Sequence, residues 1–382
     1  MSEYQYYEFR AVDQQLTSRE MTSLRAISSR ARITSTSFVN TYTYGNFRGD
    51  PEVLIGKYFD VFVYVANWGT HEFMLRLPKG TLRSRDYAPY CSDHCLRAWV
   101  EQEHLVLSFR AEDLVVDWVE GEGWMDSLLP LRGDLLRGDL RSLYLGWLLA
   151  VENGEVDDDH PGPPIPAGLR NLSESLNSLA EFLGIDTDLL ESAAEDSADL
   201  EIAPPSRDLL ARWIAGLPDC EKETLLLQVA TGENPHVGAG LLRRFQSTLP
   251  TAPADAPPAR RTAGELCSAA EMRSREKARR EEERQRLERE RELQRKAAER
   301  KKHLDVLETR EEAAWAGLDN LIGTKRPSDY DRAVSLLVDL RDVAARANRD
   351  ASFQQQLRSI LERHSTKPSF LRRVKEANLE AG

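Results

Sequence analysis

The residues of this chain best suited to chemistry by type and spacing are Cys91-Ser92-Asp93-His94-Cys95, with His104 nine positions further on. Two thiols and two imidazoles are the donor set of a tetrahedral zinc site. The spacing matches no standard finger, and His94 next to Cys95 is awkward to place on one ion. The competing reading is a loop whose cysteines serve as small apolar residues. The sequence therefore assigns no metal and no cofactor, and leaves Cys91, His94, Cys95 and His104 as the candidate ligands. Cys220 and Cys267 stand alone.

A second group is polar and aromatic: Asn40, Tyr42, Tyr44, Asn46, Arg48, Asp50, Asn67, Trp68 and His71. It falls on the ends and connections of expected strands, where a rigid sheet positions binding side chains. Tyr42, Tyr44, Arg48, Asn67, Trp68 and His71 are the candidate partner-binding residues. Against that, Tyr and Trp can simply pack a sheet while Asn and Asp make turns. Other motifs carry less. Gly232, Gly238 and Gly240 lack a preceding strand and the dinucleotide spacing, and Gly323-Thr324-Lys325 lacks a glycine-rich lead-in. The repeated Arg-Gly-Asp at 132–134 and 137–139 reads as a charged helix face or turn. Asp157 to Asp159 read as a solvated acidic run. No HExxH or GxSxG pattern occurs, and no catalytic residue is assigned.

The elements that must position these groups follow from periodicity. Tyr4 to Val12 and Arg32 to Tyr44 favour strands, with a helix between them capped by Thr17 or Ser18. Asp50 and Pro51 mark the start of a short helix. Asp60–Ala66 and His71–Leu77 form a hairpin about Asn67-Trp68-Gly69-Thr70. Leu105–Phe109 and Leu114–Val119 are two further candidate strands, and Leu128–Val151 is helical. This order predicts an α+β fold: an N-terminal mixed sheet over 1–151 with helices on one side. A helical region follows over 152–249, packed on the sheet or trailing it, with Leu179, Phe182, Leu189, Leu209, Leu210, Trp213, Leu225 and Leu226 as its core. Residues 250–265, rich in Pro and Ala, read as a linker.

Residues 266–322 read as one long charged helix. Between Glu271 and Lys302 there are 14 basic and 9 acidic residues and neither Pro nor Gly. Glu271–Arg275, Glu276–Arg280, Glu282–Arg286 and Glu292–Lys296 pair in the favourable i,i+4 order, each adding roughly 0.2–0.5 kcal/mol. Fully helical, Glu271–Leu321 spans about 75 Å. A helix so polar stands in solvent as a spacer. Leu293, Ala297, Leu304, Leu307, Ala314, Leu318 and Leu321 make a seam that packs on the tail or, through 293–321, on a second copy. Arg279, Arg280, Arg284 and Arg286 are the candidate nucleic-acid contacts. Residues 326–379 read as a small three-helix domain, with Ser328 and Asp331 as a cap and Asp350 capping its second helix.

Composition bounds the rest. The 382 residues allow two or three domains, 41% apolar content supplies a core, and a net charge of −12 makes general DNA binding an unfavoured function. Four cysteines without a framework point to a reducing compartment. The longest apolar run, Leu143–Val151, is too short for a bilayer. The expectation is a cytoplasmic protein with no membrane contact.

The chain also resembles a family of uncharacterised bacterial proteins. The likeness rests on SEYQYYEFRAVD from residue 2, ISSRARITSTSF from 27, YGNFRGDP from 44 and YFDVFVYVANWGTHEFMLRLP from 58. It continues in LPDCEKETLLLQVATGENPH from 217, in the charged helix, and in the DYDRAVSLLVDLRDVA and HSTKPSFLRRV phrases of the tail. It implies a bacterial architecture and carries over no catalytic residue. The functional expectation is a non-enzymatic scaffold: the α+β front binds a partner protein and the charged helix spaces the tail. The alternatives are an accessory nucleic-acid-binding protein and an enzyme sited at the strand ends.

Overall fold

A computed structural model describes residues 4–115, 120–200, 207–231, 236–246 and 260–379. Its chain begins β1 (Gln5–Arg10), α1 (Ser18–Ile27), β2 (Arg32–Ile33), β3 (Ser37–Tyr42), α2 (Pro51–Lys57), β4 (Val61–Ala66) and β5 (Thr70–Pro78). It continues α3 (Ser84–Tyr87), β6 (Leu96–Glu101), β7 (His104–Ala111), α4 (Trp124–Leu128), α5 (Pro130–Leu136) and α6 (Arg141–Glu152). Then come α7 (Glu174–Leu183), α8 (Thr187–Ala194), α9 (Arg207–Ala215), α10 (Asp219–Thr231) and α11 (Val237–Gln246). The last helices are α12 (Ala263–Glu308), α13 (Glu311–Gly323), α14 (Pro327–Arg346), α15 (Asp350–Arg363) and α16 (Pro368–Glu376). The fold is α+β, and the chain divides into two compact units, 1–276 and 277–382.

Local signals set the first elements. Thr17 caps α1 through a reciprocal bond with Glu20, and Asp50 caps α2 ahead of Pro51. Gly69 turns the β4–β5 hairpin at φ +87°, and a Cβ there would meet Leu114 backbone at 2.4 Å, so both conformation and space require glycine. The seven strands lie in the order β2-β3-β1-β4-β5-β7-β6. The sheet expected to be mixed is antiparallel in every pairing. α1 and the turn after it reverse the chain before β3, so β3 returns antiparallel to β1.

Helices cover both faces of the sheet rather than one. Phe9, Phe38, Phe59 and Phe62 pack with Leu24 of α1 and with Leu54 and Ile55 of α2 on one side. Val61, Val63, Phe73, Leu75, Leu107 and Phe109 pack on the other with Leu131, Trp147, Leu179 and Phe182 of the later helices. Every residue of β4 is buried, which is the burial of a central strand in three layers. Phe9 stacks on Phe62 with ring centroids 4.4 Å apart, and such a pair adds roughly 0.5–1.5 kcal/mol beyond its area.

Other expectations change as well. Leu96-Arg97-Ala98-Trp99-Val100-Glu101, which periodicity leaves unassigned, forms the edge strand β6 with only a weak buried alternation. Leu114 and Val115 are not strand, and 116–119 lie outside the described residues. No domain boundary falls at 151, since Leu176, Leu179, Phe182 and Leu189 share one core with the sheet, as do Ala263 and Leu266 at the start of α12. Within the expected 250–265 linker, Ala263–Glu265 are already helical, and 250–259 are outside the described residues.

The charged helix is not continuous to 322: it stops at Glu308, and α13 restarts after Arg310. Leu318 and Ile322 of α13, with Leu307 of α12, join Leu337, Leu340, Phe353, Leu357 and Phe370 in the core of the second unit. That unit therefore includes α13 and the end of α12 beside the three expected helices. α14 begins at Pro327 without a side-chain cap, so Ser328 and Asp331 lie inside the helix, and Asp350 is likewise the first residue of α15 rather than its cap.

Candidate functional site

The strand-end candidates divide between two faces of the sheet. Tyr42 ends β3, and Tyr44 and Arg48 follow in the connection to α2. With Ile27, Ser28, Ser29, Arg30, Gly45 and Asn46 they line a pocket of about 390 Å³. Its floor is held by a buried polar network. Asn40 donates to Ser28 Oγ and to the Tyr42 hydroxyl, both at 2.8 Å. Gln5 donates to the Gly45 carbonyl at 3.2 Å and accepts from the Tyr7 hydroxyl at 2.7 Å. Phe47 pins the connection by packing on Tyr7, Phe9, Phe38 and Tyr42. Burial pushes the Tyr7 and Tyr64 hydroxyls above the ordinary tyrosine range, so both remain protonated donors.

Arg30 leans over the Tyr44 ring, 5.1 Å from its centroid, and donates to its hydroxyl at 3.0 Å. Arg48 is exposed and makes no hydrogen bond or ion pair with any described residue. Asn67 and Trp68 sit at the same end of the sheet in the β4–β5 turn, where Asn67 accepts from the Tyr4 amide at 3.0 Å and Trp68 is exposed. His71 does not join them. It is buried under α7, its ring stacked on Phe182 at 4.9 Å and its Nδ1–H donated to the Phe182 carbonyl at 2.7 Å. Burial lowers its pKa and keeps it neutral.

The Cys/His constellation is pulled apart by β6. Cys95 precedes the strand, whereas His104 faces Glu101 at its far end, roughly 20 Å away at ~3.4 Å per residue. The turn at Cys91–Cys95 is organised by Glu155 instead. Its carboxylate accepts from the His94 and Cys95 amides at 3.1 and 3.3 Å and from the Cys95 thiol at 3.2 Å. Burial pushes the Cys91 thiol up to about 11 and the Cys95 thiol up to about 12. Among the described residues no three His, Cys, Asp or Glu side chains converge as metal ligands.

A buried titratable cluster was missed by sequence reasoning. Asp60, 1% exposed, accepts from the Val12 and Asp13 amides at 2.7 and 3.0 Å and from Arg76 at 2.9 and 3.2 Å. Arg132 lies 3.6 Å from Asp60, clasps Asp13, and donates Nε–H to the Arg76 carbonyl at 2.8 Å. His236, at the start of α11, approaches Asp13 at 2.9 Å. Burial alone would raise the Asp13 pKa, but the hydrogen bonds from His236 and Arg132 outweigh it and lower the carboxyl to about 2. The Arg-Gly-Asp at 132–134 is thus not a charged surface face: Arg132 is buried. The one signal in the sequence was an arginine set among Leu131, Leu135 and Leu136. These charges satisfy one another, so the cluster ties loop, sheet and α5 together and leaves no free acid or base.

On α12, Arg279, Arg280, Arg284 and Arg286 are all exposed. Arg284 is paired with Glu281 at 2.7 Å. At 100° per residue Glu283 projects between Arg279 and Arg280, so the basic face is interrupted. The helical pairs Glu271–Arg275 and Glu292–Lys296 form at 3.0 and 2.7 Å. Of the seam, Leu304 and Leu318 are buried, while Leu293 is 67% exposed. No described helix is long and apolar enough to cross a membrane.

Comparison of the chain with protein-family models, curated proteins and solved structures finds no match.

Proposed function

We propose that the protein is a non-enzymatic interaction protein whose first unit binds another protein through α9 and α10. The observation that supports this reading is the state of α10. None of its described residues is buried, yet Leu226, Leu227 and Val229 are 68%, 62% and 63% exposed. Leu209 and Ile214 of α9 are also exposed. Leu225, Leu226, Leu227, Val229 and Ala230 occupy a contiguous arc of the helix at 100° per residue. A continuous apolar surface of this kind marks a contact site on a soluble chain. The expectation that Leu209 and Leu226 belong to an internal core is corrected by the same exposures. An enzyme is the weaker reading, because the convergent charges around Asp13 and Asp60 are mutually paired. Four free cysteines favour a reducing, cytoplasmic setting.

The test compares the tagged full-length protein with its Leu226→Asp/Leu227→Asp variant in quantitative co-purification. Both positions are exposed, so the variant keeps its fold, checked by circular dichroism. Loss of a defined set of partners in the variant alone supports the reading. Identical recovery from both proteins overturns it.

A further inference from the structure

The pocket between Tyr42, Arg30 and Arg48 contains two arginines and no acidic residue among the side chains that line it. That is unusual in a chain of net charge −12. A second arginine-bearing hollow is internally neutralised: Arg170 and Arg273 face Glu191 and Glu195, with Arg273 ion-paired to both. Arg48 keeps its guanidinium unengaged by any described residue at the rim of this acid-free pocket.

Apart from Ile27 and Gly45, the remaining lining carries hydrogen-bond donors. Ser28, Ser29, Tyr42, Tyr44 and Asn46 all present hydroxyl or amide groups. The buried Asn40 fixes two of them, Ser28 Oγ and the Tyr42 hydroxyl, before any ligand arrives. The C-terminal end of α1 contributes partial negative charge, about half an elementary charge. Arg25 offsets this by donating to the carbonyls of Ser29 and Ala31 at 3.1 and 2.6 Å. The balance of full charges leaves the hollow cationic.

We propose that this pocket binds the phosphate group of a small phosphate monoester. Guanidinium forks match a tetrahedral oxyanion in geometry as well as charge. The volume of about 390 Å³ exceeds what one phosphate fills, leaving room for the body of the ester beside the Tyr44 ring, which is 66% exposed.

Calorimetric titration of the full-length protein tests this with three probes: inorganic phosphate, adenosine monophosphate and adenosine. One-to-one binding of the phosphorylated probes, weakening as salt rises, with none for adenosine, is the expected result. Tighter binding of the monoester than of inorganic phosphate assigns the site to an ester; equal binding assigns it to the free anion. Arg48→Ala lowers the affinity about tenfold or more, the worth of one charge-assisted bond, while the exposed, unpaired position leaves the melting temperature unchanged. Arg286→Ala on α12 leaves the affinity as it was. No binding of either phosphorylated probe at millimolar concentration, or affinity unaltered by Arg48→Ala, overturns the proposal.

Discussion

Arg132 grips Asp13 with both arms of its guanidinium, at 2.9 and 2.7 Å, across 119 residues of chain. The pair closes the β1–α1 connection onto α5, and Asp60 beneath it anchors the same connection through its amides. Removing the arginine leaves Asp13 with His236 alone and Asp60 with Arg76 alone in a buried space. Arg132→Met therefore costs about 3–5 kcal/mol, and adding Asp13→Asn recovers part of that loss. Urea unfolding of the three variants measures it. Additive losses would mean that the two side chains are not coupled.

The same contact fixes the acid limb of stability. The Asp13 carboxyl is lowered to about 2 in the folded chain, against 3.8 for the free group. A depressed carboxyl stabilises the fold above the unfolded value, and that contribution disappears as pH falls through the folded one. It amounts to about 2 kcal/mol. Asp13→Asn should therefore flatten the stability profile between pH 5 and 2 relative to the parent chain, read as unfolding midpoints at each pH.

His71 acts in a higher pH window. Its folded pKa is lowered by burial, so the unfolded chain takes up the proton more readily. Stability is then complete above about pH 6.5 and declines as the solution is acidified below it. His71→Leu loses about 1 kcal/mol at neutral pH through the Phe182 carbonyl, yet shows a smaller decline between pH 7 and 5. Parallel profiles for parent and variant would count against the buried, neutral imidazole.

Thiol chemistry separates the four cysteines. Cys220 is exposed, whereas burial raises the pKa of Cys91, Cys95 and Cys267. The thiolate is the reactive form, so Ellman's reagent at pH 8 should show one fast thiol, lost in Cys220→Ser, with the others reacting only on unfolding. Zinc should leave the melting temperature of the parent chain unchanged. A fast reaction of Cys95, or a zinc-induced rise, would restore the metal reading of that loop.

The two ends of the leucine seam differ in cost. Leu304 is 3% exposed and Leu293 is 67% exposed. Leu304→Ala should destabilise the second unit by about 2–5 kcal/mol, while Leu293→Ala changes stability by less than ~0.5 kcal/mol. Equal effects in thermal unfolding would show that the seam is covered along its whole length, as in a paired helix.

What the residues determined by themselves was local. Thr17 with Glu20, Asp50 before Pro51, the turn at Asn67–Gly69 and the uninterrupted charged run each specify an element through contacts within a few positions. Those elements, in order, were enough for the α+β class. What only the tertiary structure decided was which side of an element meets which neighbour. Trp68 and His71 are three positions apart, yet the turn leaves one in solvent while the strand that follows carries the other beneath Phe182. Arg132 looks like surface charge until Asp13 and Asp60 arrive from distant sequence to neutralise it, and β6 becomes a strand because β7 pairs with it. Leu226 looks like core, yet the described fold leaves it mostly exposed. Burial and ion pairing are properties of approach between remote segments, and no short-range pattern encodes the partner.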